Sequence, residues 1–180
     1  DFLVPPGVKA HESFLCSNCV QRFEQLDAYG AEVWCHVPGD LTGTLHGAFS
    51  FRPVDGRLLR LWLLSLLWRM GASQALSMID LGDDEAVVRG LLNDGNPGQP
   101  EQYPVVCIAL SAEGKRVQFF FPPRWSLVDG KRVLSIILQG VLFNFLVGTD
   151  TADNARLITD DEWVFPILDW REVDFLVDEA

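Results

Sequence analysis

Leu58-Leu-Arg-Leu-Trp-Leu-Leu-Ser-Leu-Leu-Trp-Arg-Met70 packs more large apolar side chains into fewer positions than any other stretch of the chain. Leucine and methionine keep most of their rotamer freedom in a helix, the stretch holds no β-branched residue, and Gly71 stands where a C-cap glycine would end it. Asp55, just upstream, is a suitable N-cap. Apolar residues fall on nearly every helical face, which predicts a central helix with protein on most sides and with Trp62, Leu66 and Trp68 largely buried. It falls short of the roughly 20 residues that span a bilayer, and Arg60 and Arg69 interrupt it. Arg69 lies beside Trp68, so a carboxylate partner is expected for it, with ligand binding as the other reading.

Outward from this helix the chain divides into three regions. Residues 1–47 carry Cys16-Ser-Asn-Cys19 at the head of an amphipathic stretch, in which Phe23, Leu26, Val33 and Trp34 recur at helical spacing while Gln21, Arg22, Glu24 and Glu32 face away. Residues 48–99 form the helical core. There a short strand is expected over 48–54, and a third helix over 83–92 with Ala86, Val87, Leu91 and Leu92 inward and acids in its first turn. Residues 100–180, after the Asn93–Pro100 break, read as an antiparallel sheet with an acidic tail. Strands are expected over 105–110, 116–121, 133–138, 141–147 and 162–168, with turns at Glu113-Gly114, Asp129-Gly130 and Gln139-Gly140. The fold class is therefore α+β in a single domain over 1–180, with N-terminal helices, one of them buried and central, followed by a β-meander.

The 180 residues are 48% hydrophobic, enough for a real core, and carry a net charge of −11. A phosphate backbone needs a basic footprint and none is visible, so direct binding to nucleic acid is not expected. The acidic excess serves solubility or offers a face to a basic protein partner. No secretory or lipidation motif is visible, and four cysteines beside a large core do not look like a disulfide scaffold; a reducing, cytoplasmic setting without membrane contact is expected. The first residue is Asp1, so the chain either lost its start by processing or is part of something longer.

The most specific chemical signal is Cys16-x-x-Cys19. Two thiolates at this spacing can close on one zinc ion, and a tetrahedral site needs two further ligands. His11 and His46 fit best, because Cys35 and His36 stand at the far end of the helix, more than about 20 Å away by helix rise. The other readings are a pair of ordinary packed cysteines, or ligands supplied by a segment upstream. No phosphate loop, G-x-S-x-G or H-E-x-x-H occurs. Cys107 lies in an apolar strand and reads as core; Asp83, Asp84 and Glu85 read as a solvated helix cap before they read as a cation site.

Phe14–Trp34 (FLCSNCVQRFEQLDAYGAEVW), Leu63–Ser73 (LLSLLWRMGAS), Ile79–Glu85 (IDLGDDE) and the strand pair ending LQGVLFNFLV follow one another in an order that resembles a group of uncharacterised bacterial proteins. Those carry an LLCxxCEQRFSxxE segment, an LSLLWR helix, an acidic LG turn and a strand-rich half. Longer members begin with a further cysteine pair and a His-Ile-Ile-Pro segment similar to the HNH, or treble-clef, nuclease finger, in which Cys16 and Cys19 would be the helix-borne half of the zinc site. This chain has neither a second CxxC nor His-Ile-Ile-Pro. The resemblance thus implies a non-catalytic interaction or accessory protein with a treble-clef-derived zinc knuckle. Its alternatives are the C-terminal part of a metal-dependent HNH-like nuclease and an acidic inhibitor or immunity-type protein.

Overall fold

The computed structural model describes residues 15–35, 48–51, 55–73, 79–128, 130–148, 158–159, 162–169 and 171. Among these residues three helices, α1 (Ser17–Cys35), α2 (Gly56–Ala72) and α3 (Asp84–Asp94), cover a sheet built from β1 (Ala48–Phe51), β2 (Val105–Ala112), β3 (Lys115–Arg116), β4 (Phe121–Val128), β5 (Lys131–Leu138), β6 (Val141–Val147), β7 (Ile158–Thr159) and β8 (Glu162–Asp169). The class is α+β, with helices leading and an antiparallel meander following.

The Leu58–Met70 stretch is the middle of α2. Asp55 caps it, its carboxylate accepting from the Leu58 N–H at 3.0 Å. Leu59, Leu63 and Leu67, one helical stripe, are completely or almost completely removed from water, and Leu61, Trp62, Leu64 and Met70 are buried on the remaining faces. Leu66 and Trp68 are only partly buried: Trp68 reaches the rim, where its Nε1–H donates to Glu85 at 2.7 Å. Nor does Gly71 end the helix, which runs on to Ala72 with Ser73 as C-cap. Gly71 serves closeness instead, since a Cβ there would run into the Leu81 side chain.

Arg69 meets its carboxylate. Its guanidinium grips Asp27 of α1 with two hydrogen bonds of 2.8 and 2.7 Å and lies over the Phe23 ring, 5.2 Å from the centroid. Asp27 also accepts from the Trp62 indole at 3.2 Å. Buried Ser65 donates to the Trp62 carbonyl and accepts from Arg69. Asp27→Ala removes the acceptor of three donors at a half-exposed position, so urea denaturation should show a loss of about 1–2 kcal/mol. An unchanged midpoint would mean that water replaces the carboxylate at no cost.

In α3 the inward residues are Val88 and Leu92, with Leu91 half-buried; Ala86 and Val87 face solvent, contrary to the sequence-based expectation. The helix closes on Gly95 at φ 62°, with Gly95 N–H donating to Leu92 and Asn96 N–H to Leu91, a Schellman motif. Three arginines hold the loop that follows: Arg22 donates to the Asn93 carbonyl, Arg57 to Gly95, and Arg60 to Pro97, Gly98 and Gln99. Guanidinium groups here meet the negative end of the helix dipole.

The sheet runs β1-β8-β2-β6-β5-β4, with β3 paired to β2 and β7 to β8. Two of the three anticipated two-residue turns are present, and in the third Asp129 lies outside the described residues while Val128 pairs with Lys131 on either side of it. Glu113-Gly114 and Gln139-Gly140 have positive φ at both positions, as type I′ hairpins require, and Gly130 has φ 75°. The expected strand over 116–121 is instead a crossing segment between β3 and β4, and β4 itself contains Pro122 and Pro123. It is an edge strand whose register shifts between Phe121 and Arg124, which is where a sheet tolerates proline. Because β6 returns beside β2 at the end of the β4–β5–β6 meander, strands β2, β4, β5 and β6 make a Greek key. β8 pairs parallel with β2 and antiparallel with β1.

One sheet face, with Val105, Cys107 and Ala109 of β2, Leu134 and Ile136 of β5 and Phe143 and Phe145 of β6, shares a single apolar cluster with all three helices. Trp62 meets Phe143 edge-on at 6.0 Å. On the opposite face Leu110, Ile137 and Leu142 form a second cluster beneath Val117 and Phe119 of the crossing segment and Phe121 of β4. No helix among the described residues is long and apolar enough to cross a membrane.

Candidate functional site

Cys16 stands at the N-cap position of α1: the helix begins at Ser17, and the Cys16 carbonyl accepts from the Val20 N–H at 3.0 Å. The first turn brings Cys19 round beneath it, so that the two sulfurs lie 3.3 Å apart with both thiols free. Cys16 is exposed, whereas Cys19 is half-buried and packs with Leu15 against the main core. Their acidities diverge. The Cys19 backbone N–H and thiol, both directed at the Cys16 sulfur, hold the Cys16 thiol below its ordinary pKa. The Cys16 sulfur pushes Cys19 upward in turn, and some burial adds to this. Deprotonating one sulfur therefore leaves the other as its hydrogen-bond donor.

A zinc ion bound tetrahedrally by two thiolates at about 2.3 Å each requires sulfurs about 3.8 Å apart. The observed pair would need to open by only about half an ångström, so the thiols fit as half of such a site. His11 and His46, the expected further ligands, lie outside the described residues. No group of three or more metal-ligating side chains gathers among the described residues.

Of the remaining candidates, Asp83 stands exposed at the N-cap of α3 without a side-chain cap hydrogen bond, and the others are occupied by structure. Asp84 accepts from the Tyr103 hydroxyl at 2.8 Å, Glu85 accepts from Trp68 and lies 3.8 Å from Arg89, and Asp80 accepts from the Gly82 N–H in a local turn. The acidic turn thus ties α3 to α2 and to the approach to β2. Cys107 is buried between the sheet and the helices, which pushes its thiol far up and leaves it core. A shallow hollow between Arg60, Leu63, Leu64, Tyr103 and Val105 has room for no more than about one water molecule. What sequence reasoning missed at the Cys pair is its asymmetry of one wet and one covered sulfur. The signal for it was Leu15 and Phe23 flanking Cys19 in the pattern of apolar positions.

No known protein-family model matches the chain, and neither does any curated protein or any solved structure.

Proposed function

We propose that this chain is a non-catalytic interaction or accessory protein of bacterial type, organised at its N-terminal end by a zinc knuckle derived from a treble clef. The observation that carries the reading is the 3.3 Å separation of the Cys16 and Cys19 sulfurs at the head of α1, a spacing that closes on zinc with little movement. Cys16 and Cys19 would hold the ion, with His11 and His46 as the proposed further ligands. The ion's contribution there is structural: it would tie the start of α1 to whatever segments supply the other two ligands.

The partner is a protein. Net charge −11 favours a basic surface, steering the encounter and discouraging wrong partners. Duplex DNA or RNA is a poor partner, because the chain is acidic overall and five of its arginines serve the fold: Arg22, Arg57 and Arg60 hold carbonyls, Arg69 holds Asp27, and Arg132 lies over Trp125 at 4.3 Å while donating to the Asp80 carbonyl. The order of its motifs, which resembles that of the group of uncharacterised bacterial proteins, also supports this reading.

Elemental analysis of the purified chain should find close to one zinc per chain, lost in Cys16→Ser, His11→Ala and His46→Ala, with a lower melting temperature for the metal-free form. The same preparation should leave DNA and RNA intact in Mg²⁺, Mn²⁺ or Zn²⁺. Metal-free protein whose melting is unaffected by Cys16→Ser would remove the knuckle. Metal-dependent nicking abolished by His46→Ala would replace the accessory role with the nuclease.

A further inference from the structure

We propose that the Cys16–Cys19 dithiol is a reversible thiol–disulfide exchange site whose co-reactant is a low-molecular-weight disulfide. The two sulfurs are already in contact at 3.3 Å, and a disulfide bond needs them at about 2.05 Å, a closure of about 1.2 Å. Because Cys16 is the N-cap residue, outside the helix proper, its side chain can swing over the first turn without breaking the hydrogen bonds that follow. The site can therefore move in two directions from one resting geometry: outward onto an ion or inward onto a disulfide.

The asymmetry of the pair assigns the order of steps. Exposed Cys16 meets the reagent: its thiolate attacks one sulfur of the small disulfide, forms a mixed disulfide and expels one small thiolate. Cys19, half-covered and adjacent, then attacks the Cys16 sulfur as its thiolate, forms the Cys16–Cys19 bond and expels the second small thiolate. The protein loses two electrons and two protons, and the small disulfide is reduced to two thiols. Excess small thiol reverses both steps. Cys107, sealed between sheet and helices, serves as the internal reference for an unreactive thiol.

The exchange does not require zinc, so it is measured on the full chain with a chelator present, which separates its outcome from that of the knuckle. The reduced chain is incubated in buffers of increasing oxidised-to-reduced glutathione ratio, quenched by alkylation and mapped by peptide mass. The peptide that carries both residues should lose two hydrogen atoms, and dithiothreitol should restore them. Cys19→Ser should stop at a glutathione mixed disulfide on Cys16, and Cys16→Ser should slow modification of Cys19 by at least about 10-fold relative to Cys16 in Cys19→Ser. A peptide that remains a dithiol at the most oxidising ratio, or that stops at the mixed disulfide with Cys19 present, overturns the proposal. So does Cys19 reacting in Cys16→Ser as fast as Cys16 itself. The wild-type result decides the matter whether or not either variant folds.

Discussion

Trp62→Ala is expected to cost about 3–5 kcal/mol, the range for emptying a large aromatic site that its neighbours cannot fill. Trp62 is 5% exposed and lies where α1, α2 and the sheet meet, with its indole against Gly30 of α1, its Nε1–H on Asp27 and its ring edge-on to Phe143. A Cβ on Gly30 would overlap that indole, so α1 can approach α2 only because position 30 lacks a side chain. Gly30→Ala should therefore destabilise the wild type by about 1–3 kcal/mol. In the Trp62→Ala background the same substitution should cost little or nothing, because the cavity receives the methyl group. Urea titration of the four chains closes the cycle. Additive costs would mean that the helices separate freely at this crossing, and a small loss for Trp62→Ala would place the indole outside the core.

Gly140→Ala is expected to cost about 2–5 kcal/mol, from two sources that can be separated. Residue 140 has φ 76°, a conformation that costs an L-residue roughly 1–2 kcal/mol, and a Cβ there would collide with the Val117 carbonyl of the crossing segment. The segment is tied down at this point: Gly140 N–H donates to Phe119, and its carbonyl accepts from Leu110 N–H. Gly130 provides the comparison, since it has φ 75° between the paired residues Val128 and Lys131 with nothing within 4 Å of a would-be Cβ. Gly130→Ala should lose only the conformational part, about 1–2 kcal/mol. Equal losses at the two positions would show that the crossing segment yields to the methyl group.

The parts of this fold that depend on near neighbours were readable from the residues. Asp55 three residues before Leu58, the Gln139-Gly140 and Glu113-Gly114 pairs and the apolar density of Leu58–Met70 each act within one turn of chain, and each is where sequence reasoning placed it. Partner choice acts at a distance and was not readable. Nothing in Glu162–Asp169 says that it will lie parallel to β2, and nothing in Val105–Ala112 says that it will prefer β6 to β4. Pro122 and Pro123 concealed β4, because proline argues against a strand unless its place at the edge is already known. Val87 and Val88 exchanged expected roles through a rotation of one residue in a short helix whose apolar stripe is narrow. At the candidate site the spacing of Cys16 and Cys19 announced a pair; Leu15 and Phe23, four residues to either side of Cys19, marked it as the sulfur on the apolar face, and the core that covers it is supplied by the fold.

The place of β8 between β1 and β2 bears on how the chain is made. During synthesis the helices and the β4–β5–β6 meander can assemble as they emerge, since each pairs with a near neighbour in the chain. β1, drawn from residues 48–51, has β8 as its partner in the sheet, and β8 begins more than a hundred residues later at Glu162. Until that strand arrives, β1 and the outer side of β2 stand as open edges able to pair with the same segments of a neighbouring nascent chain. The arrival of β8 therefore both joins β1 to β2 and ends the interval in which two chains translated side by side could exchange these strands.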